Sequence, residues 1–282
     1  MTKLEYTMTN DALFKMVFVQ HQELLKRLIA QILCISLDNI TEFIITNSEM
    51  PPDIIGEKFC HLDINMKVNG QRVALEVQVK NEGDFTERTL YYWARDYSSA
   101  LNKKEQYRNL PRVIIISIVA FVLFDCLEFH SEFQMLEVKR HTPLNDKICM
   151  HYFELPKLPE VENTEDELRL WLTLFNAETE EDLAKIEALG VPVMSQAIEA
   201  YRHVSASEQF KEIERLRSRA RHNEASALGY AAEVERKKWQ VIVADKEAVI
   251  ADKDAEIADI GAENERLREQ LAALQAQFSE KN

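Results

Sequence analysis

From His61 to Lys80 apolar and polar residues alternate. Leu62, Ile64, Met66 and Val68 share one side of the first half, and Val73, Leu75, Val77 and Val79 share one side of the second. A period of two marks a pair of half-buried strands. Asn69-Gly70 between them offers the two positive-φ positions that a two-residue type I′ turn requires. Such a turn fixes the register. Val68 is expected to face Gln71, which puts Asp63 opposite Glu76 and His61 opposite Gln78, all away from the aliphatic side.

Elsewhere the period lengthens. Leu13, Phe14, Val17, Phe18, Leu24, Leu25, Leu28, Ile29 and Ile32 recur at helical spacing and predict one or two amphipathic helices over 10–33. Further strands are predicted near 42–46, 60–68, 71–80, 112–119, 132–138 and 147–154. A helix over about 84–104 opens with Asp84 and Glu87 at capping-box spacing. Its Tyr91, Trp93 and Tyr97 read as core residues. The apolar run Val113 to Phe124, interrupted by Ser117, reads as a buried central strand passing into a loop. Thr164 with Glu167 starts a helix through Phe175, Thr179 starts another that Gly190 ends, and Pro192 can open a third.

From about Ser205 breakers become few. Ala-Asp-Lys-Glu-Ala-Val-Ile is followed at once by Ala-Asp-Lys-Asp-Ala-Glu-Ile (Ala244 to Ile257), a heptad repeat. With Val243, Ile250, Ile257, Asn264, Leu271 and Phe278 at position a, Ile260, Leu267 and Leu274 fall at d, as do Lys246 and Lys253. The seam is therefore poor early and better later, and a single Asn at a favours an in-register parallel dimer. A coiled-coil tail that pairs two copies is the expectation; a single charged helix is the alternative. The layout is an α/β domain over 1–155, a helical extension packed on it over 156–204, and a long helix or coiled coil over 205–282.

The opposed acids carry the chemistry. Like charges directly across a sheet destabilise it, since their Cβ atoms lie about 4.5–5.5 Å apart. A cation between them reverses that sign, and a hard ion such as Mg²⁺ takes one or two carboxylates and keeps several waters. A solvated sheet face that happens to carry acids accounts for the register alone equally well.

The order of the residues adds to this: Asp63, a hairpin, then Glu76-Val77-Gln78. This resembles the metal-binding core of the PD-(D/E)XK nuclease superfamily and, more narrowly, the recombination-promoting nuclease (Rpn) and transposase family. Asn10 to Phe18 (NDALFKMVF), Arg88 to Tyr97 (RTLYYWARDY), Pro111 to Ile118 (PRVIIISI) and Tyr152 to Leu158 (YFELPKL) are also similar to that family. The likeness covers most of residues 1–225. It implies a restriction-endonuclease-like αβββαβ core, an α/β sandwich around a mixed sheet, and a metal-dependent DNA endonuclease with Asp63 and Glu76 as metal ligands. The ion implied is divalent, Mg²⁺ first, with Mn²⁺ or Ca²⁺ as alternatives.

The superfamily's usual lysine is Gln78 here, a substitution the narrower family shares. An amide orients a water by hydrogen bonding but is neither a base nor a charge, so Gln78 is assigned to positioning the water. Lys80, two residues on, supplies a cation on the same face if the strand continues; a strand-end lysine facing solvent or phosphate is the other reading. The resemblance makes Asp11 a third acid of the cluster, though Asp at a helix N-terminus is favoured on its own account. His61 is placed at the margin of the site. Arg88 and Arg95, on the helix after the hairpin, are candidate phosphate contacts along with Lys103, Lys104, Arg108 and Arg112; a solvated helix face is the plain alternative.

A net charge of −14 argues against a nucleic-acid enzyme until it is divided. Residues 1–155 hold 17 Lys and Arg against 21 Asp and Glu, net −4, and the remainder 17 against 27, net −10. The acidity lies mostly away from the hairpin, and salt-sensitive DNA binding is expected. Cys34, Cys60, Cys126 and Cys149 are scattered and read as buried apolar residues, not as disulfides or a zinc site. No run is long enough to span a bilayer and no secretory signal is recognised, so a cytoplasmic protein with no membrane contact is expected. Two other readings stay open: a catalytically silent nuclease fold that binds nucleic acid, and an interaction protein whose function lies in its coiled coil.

Overall fold

The hairpin forms in the predicted register. In the computed structural model, which describes residues 2–46, 49–50, 60–61, 63–101, 106–160 and 166–279, strands β4 (Ile64–Val68) and β5 (Gln71–Gln78) pair Val68 with Gln71 and Ile64 with Leu75. Asn69 and Gly70 take φ of 48° and 76°. The Asn69 side chain also ties the turn down, accepting from the Thr41 and Glu42 N–H groups and donating to the Asn39 carbonyl.

Around this hairpin the sheet grows to six strands, in the order β1-β4-β5-β6-β8-β7. β1 (Phe43–Thr46) adds antiparallel to β4; β6 (Val113–Val119) and β8 (Ile148–Glu154) run parallel to β5; β7 (His130–Phe133) closes the far edge antiparallel to β8. The three parallel strands form the centre. β6 and β8 are buried along their whole length, as strands covered on both faces must be.

Helices cover each face. On one side α3 (Phe85–Ser99) packs Phe85 over Ala74, Ile115, Val119 and Tyr152. On the other, α1 (Asp11–Gln20) and α2 (Gln22–Ile32) share one core with α4 (Glu167–Asn176), α5 (Glu180–Ala188) and α6 (Pro192–Ala206). Phe14, Phe18, Trp171 and Phe175 form its aromatic centre, with ring centroids 5.2–6.1 Å apart. Residues after 156 thus complete the layer that α1 and α2 begin. Thr179 and Asp182 form a capping box, Gly190 takes φ 70°, and Pro192 opens α6.

Several local expectations change. The β5 ladder stops at Gln78, leaving Val79 52% exposed and Lys80 beyond the strand, so the alternation that would have kept Lys80 on the site face is lost. His61 is not opposite Gln78: it pairs with Glu49 in a separate two-stranded sheet of β2 (Glu49–Met50) and β3 (Cys60–His61). The strand expected at 132–138 is His130–Phe133. Asp84 precedes α3 without a side-chain capping bond, its backbone at φ −130° and ψ 20° lying outside the extended conformation usual for a cap. Leu62, Lys103, Lys104 and Thr164 lie outside the described residues.

The chain divides into two compact units, Met1–Glu214 and Arg215–Asn282. Within the first, Phe210 at the start of α7 (Glu208–Ser279) packs edge-on against Tyr6. The second is helical, and its Val243, Ile250, Ile257, Ile260, Leu267 and Leu271 are all at least half exposed. Among the described residues no helix is long and apolar enough to cross a membrane.

Candidate functional site

Asp63 enters the sheet one residue before β4, and Glu76 lies near the end of β5. Two hydrogen bonds lock them side by side: the Val77 N–H donates to Asp63 Oδ2 (2.8 Å) and the Asp63 N–H to Glu76 Oε2 (3.3 Å). Glu76 is 7% exposed and Asp63 half-buried. Glu76 lies on the α3 face of the sheet, paired on its other side with Ser117, whose buried hydroxyl has no hydrogen-bond partner among the described residues.

Burial first, and the Asp63 charge second, push Glu76 up to about 8; the Asp63 N–H and Arg88 pull it back, and Asp11 adds to the rise. Asp11 therefore stands within electrostatic reach of Glu76. It is the first residue of α1, while Asn10 caps that helix by accepting from the Leu13 N–H at 2.9 Å.

Arg88 lies over the Phe85 ring at 5.2 Å and pairs with Glu82 at 3.1 Å, so its charge is only partly directed at Glu76. Gln78 donates its amide N–H to the Lys80 carbonyl at 3.1 Å, which directs Oε1 away as an acceptor. Arg95 does not join the site: it is 9% exposed and donates to the Tyr91 hydroxyl at 3.2 Å. Its neighbour Asp96 pairs with Arg72 at 2.6 Å, so the inward face of α3 is polar where strand β5 is polar. Lys80 is exposed; the His61 side chain lies outside the description.

Two adjacent acids, one buried, with Arg88 only partly engaged nearby, make a donor set that suits a hard divalent cation. Burial and the neighbouring charge both favour the protonated form of Glu76.

A second grouping escaped sequence reasoning. Glu132, Cys149 and His151 bring their ligand atoms within 4.8 Å of one another, the sole such group of three or more among the described residues. Of the cysteines, Cys34 is exposed and Cys126 partly exposed, against the expectation of buried thiols, and Cys149 is buried beside a histidine. The signal available was Cys149-x-His151, two positions apart on one strand and therefore on one face.

Searches of curated proteins and of solved structures returned no match. A family model described as PD-(D/E)XK nuclease family transposase matches residues 8–231, which span the sheet, the acid pair and all the helices that cover them. By that match the chain belongs to the PD-(D/E)XK nuclease family transposases.

Proposed function

We propose that this protein is a divalent-metal-dependent endonuclease that hydrolyses phosphodiester bonds in DNA. The observation that carries the reading is the buried Glu76 locked against Asp63, its carboxyl pushed up by burial and by the neighbouring charge. Family membership supplies the reaction class.

Asp63 and Glu76 would hold the ion, most suitably Mg²⁺. Bound there, it would polarise the scissile phosphate and make a water nucleophilic near neutral pH. Gln78, whose amide N–H is taken by the Lys80 carbonyl, would offer Oε1 to accept a hydrogen bond from a water and orient it, a role that requires no charge. Asp11 strengthens the negative field that draws the ion in. Arg88, adjacent to the acids and only half-buried, offers its guanidinium to a phosphate oxygen at the cost of its exposed pair with Glu82.

The exposed apolar stripe of α7 supports pairing of two copies as a coiled coil. A dimer offers two sites for two strands, as a double-strand break demands. Activity on cytoplasmic DNA in recombination, mobile-element movement or defence agrees with the transposase description of the family.

The test is plasmid cleavage by the full chain in Mg²⁺, Mn²⁺, Ca²⁺ or EDTA, beside Asp63→Ala and Glu76→Ala. Nicking or linearisation that needs metal and falls about 10²–10³-fold in both variants is expected, the scale of losing a principal charge stabiliser. No cleavage, with DNA binding that survives EDTA and Glu76→Ala, would leave a nucleic-acid-binding module in place of an enzyme.

A further inference from the structure

On the sheet face opposite Glu76, strands β7 and β8 bring four ligand-type side chains together. Glu132 pairs with His151 across the two strands, and Cys149 lies two residues before His151 on the same face. The Cys149 Sγ is 3.2 Å from His151 Nε2 and 3.4 Å from Glu132 Oε1. His151 turns its other nitrogen, Nδ1, to His130 Nε2 at 3.1 Å. The two imidazoles and Phe153 stack in near-parallel planes, which fixes the ring of His151.

These separations have a chemical meaning. Around a tetrahedral zinc with Zn–S of about 2.3 Å and Zn–N or Zn–O of about 2.0–2.1 Å, the ligand atoms lie roughly 3.5 Å from one another. The Cys149 Sγ–His151 Nε2 and Cys149 Sγ–Glu132 Oε1 separations already lie within a few tenths of an ångström of such edges, and all three ligand atoms lie within 4.8 Å of one another. A thiolate with an imidazole is a soft set that selects zinc over Mg²⁺ or Ca²⁺. A metal-bound histidine almost always has its second nitrogen held by a hydrogen bond, and His130 does this for His151.

We propose that Glu132, Cys149 and His151 bind Zn²⁺ through three protein ligands, with His130 orienting His151 and solvent filling the fourth position beside the exposed Glu132. On binding, the Cys149 S–H bond breaks, a Zn–S bond forms and the proton leaves to solvent. The thiolate and the carboxylate together balance the charge of the ion. Arg112, which also reaches Cys149, can donate to a remaining lone pair on the sulfur. The ion clamps the four-residue edge strand β7 to β8. This site is chemically separate from the carboxylate pair and does not depend on the nuclease reading.

Cobalt(II) is the probe, because a thiolate ligand gives an intense near-ultraviolet charge-transfer band and a carboxylate pair does not. The metal-free full chain is titrated with Co²⁺ in excess Mg²⁺, then with Zn²⁺, beside Cys149→Ser, Glu132→Gln and the double variant Asp63→Ala/Glu76→Ala. One equivalent of a band that Zn²⁺ displaces is expected in the wild type and the double variant. It is expected to vanish in Cys149→Ser, and Zn²⁺ affinity to fall about tenfold or more in Glu132→Gln. Glu132 is exposed, so that variant retains its fold; circular dichroism confirms it for Cys149→Ser. Zn²⁺ raises the melting temperature of the wild type and leaves that of Cys149→Ser in place. Absence of the band, or its persistence in Cys149→Ser through another thiol, overturns the proposal.

Discussion

Two glutamates lie toward the ends of the parallel strands β5 and β8, on either side of β6, and their surroundings differ. Glu154, the last residue of β8, is 1% exposed and fully served: Lys157 Nζ lies at 2.8 Å, and the Leu123 and Phe124 N–H groups donate to Oε2. Lys157 also donates to the Phe124 carbonyl, so the cluster ties the chain after β6 to the end of β8. Glu76 on β5 is buried almost as deeply, and the charge that acts on it most strongly is that of another acid. The first acid has its counter-charge built into the chain and belongs to the architecture. The second is opposed by another acid and only partly offset by Arg88, and a buried acid perturbed in this way is characteristic of functional sites.

The contrast breaks first at Glu154. Glu154→Ala removes the acceptor of three donors, and we expect a loss of roughly 2–3 kcal/mol in urea unfolding, the range for hydrogen bonds to a charged group. Glu76→Gln at pH 8 in EDTA should instead hold or raise stability, because it removes a repulsion. Equal destabilisation by both would erase the distinction.

Next in size is the pH dependence. An acid whose folded pKa is raised keeps its proton in the native chain where the unfolded chain has lost it. The stability of the metal-free protein should therefore fall as pH climbs from the ordinary carboxylate range to about 8, then level off. The wild type minus Glu76→Gln difference isolates this effect, which we expect to be on the order of a few kcal/mol across the window. Mg²⁺ should flatten the slope; a flat difference without metal would remove the opposed-acid account.

The smallest effect sharpens the comparison. Asp11 is the last contributor to the rise of Glu76, so Asp11→Asn should lower the Glu76 titration midpoint only slightly. It should weaken Mg²⁺ binding by a few-fold, measured by calorimetry. A loss as large as that of Asp63→Ala would make Asp11 a ligand instead.

How much of this was legible beforehand follows from the range of the interactions. The hairpin register is local, set by Asn69-Gly70, and with it came the side-by-side placement of Asp63 and Glu76. The burial of Arg95 is not local: α3 turns it inward beside Asp96, whose partner Arg72 lies on β5. Alternation carried Lys80 onto the site face, but the ladder ended two residues earlier. The Glu132–Cys149–His151 group depends on β7 folding back on β8, a pairing across fourteen intervening residues with no short turn to announce it. The family resemblance stood on motifs, and the family match over residues 8–231 bears it out.

Both margins of the six-stranded sheet are four-residue strands, β1 and β7. A strand margin is a template on which a foreign strand can crystallise, and long flat margins lead to fibrils. Here an intruder finds only a short row of backbone groups along β1 and β7. Short margins leave little backbone for polymerisation, while the apolar central strands β6 and β8 stay buried between them.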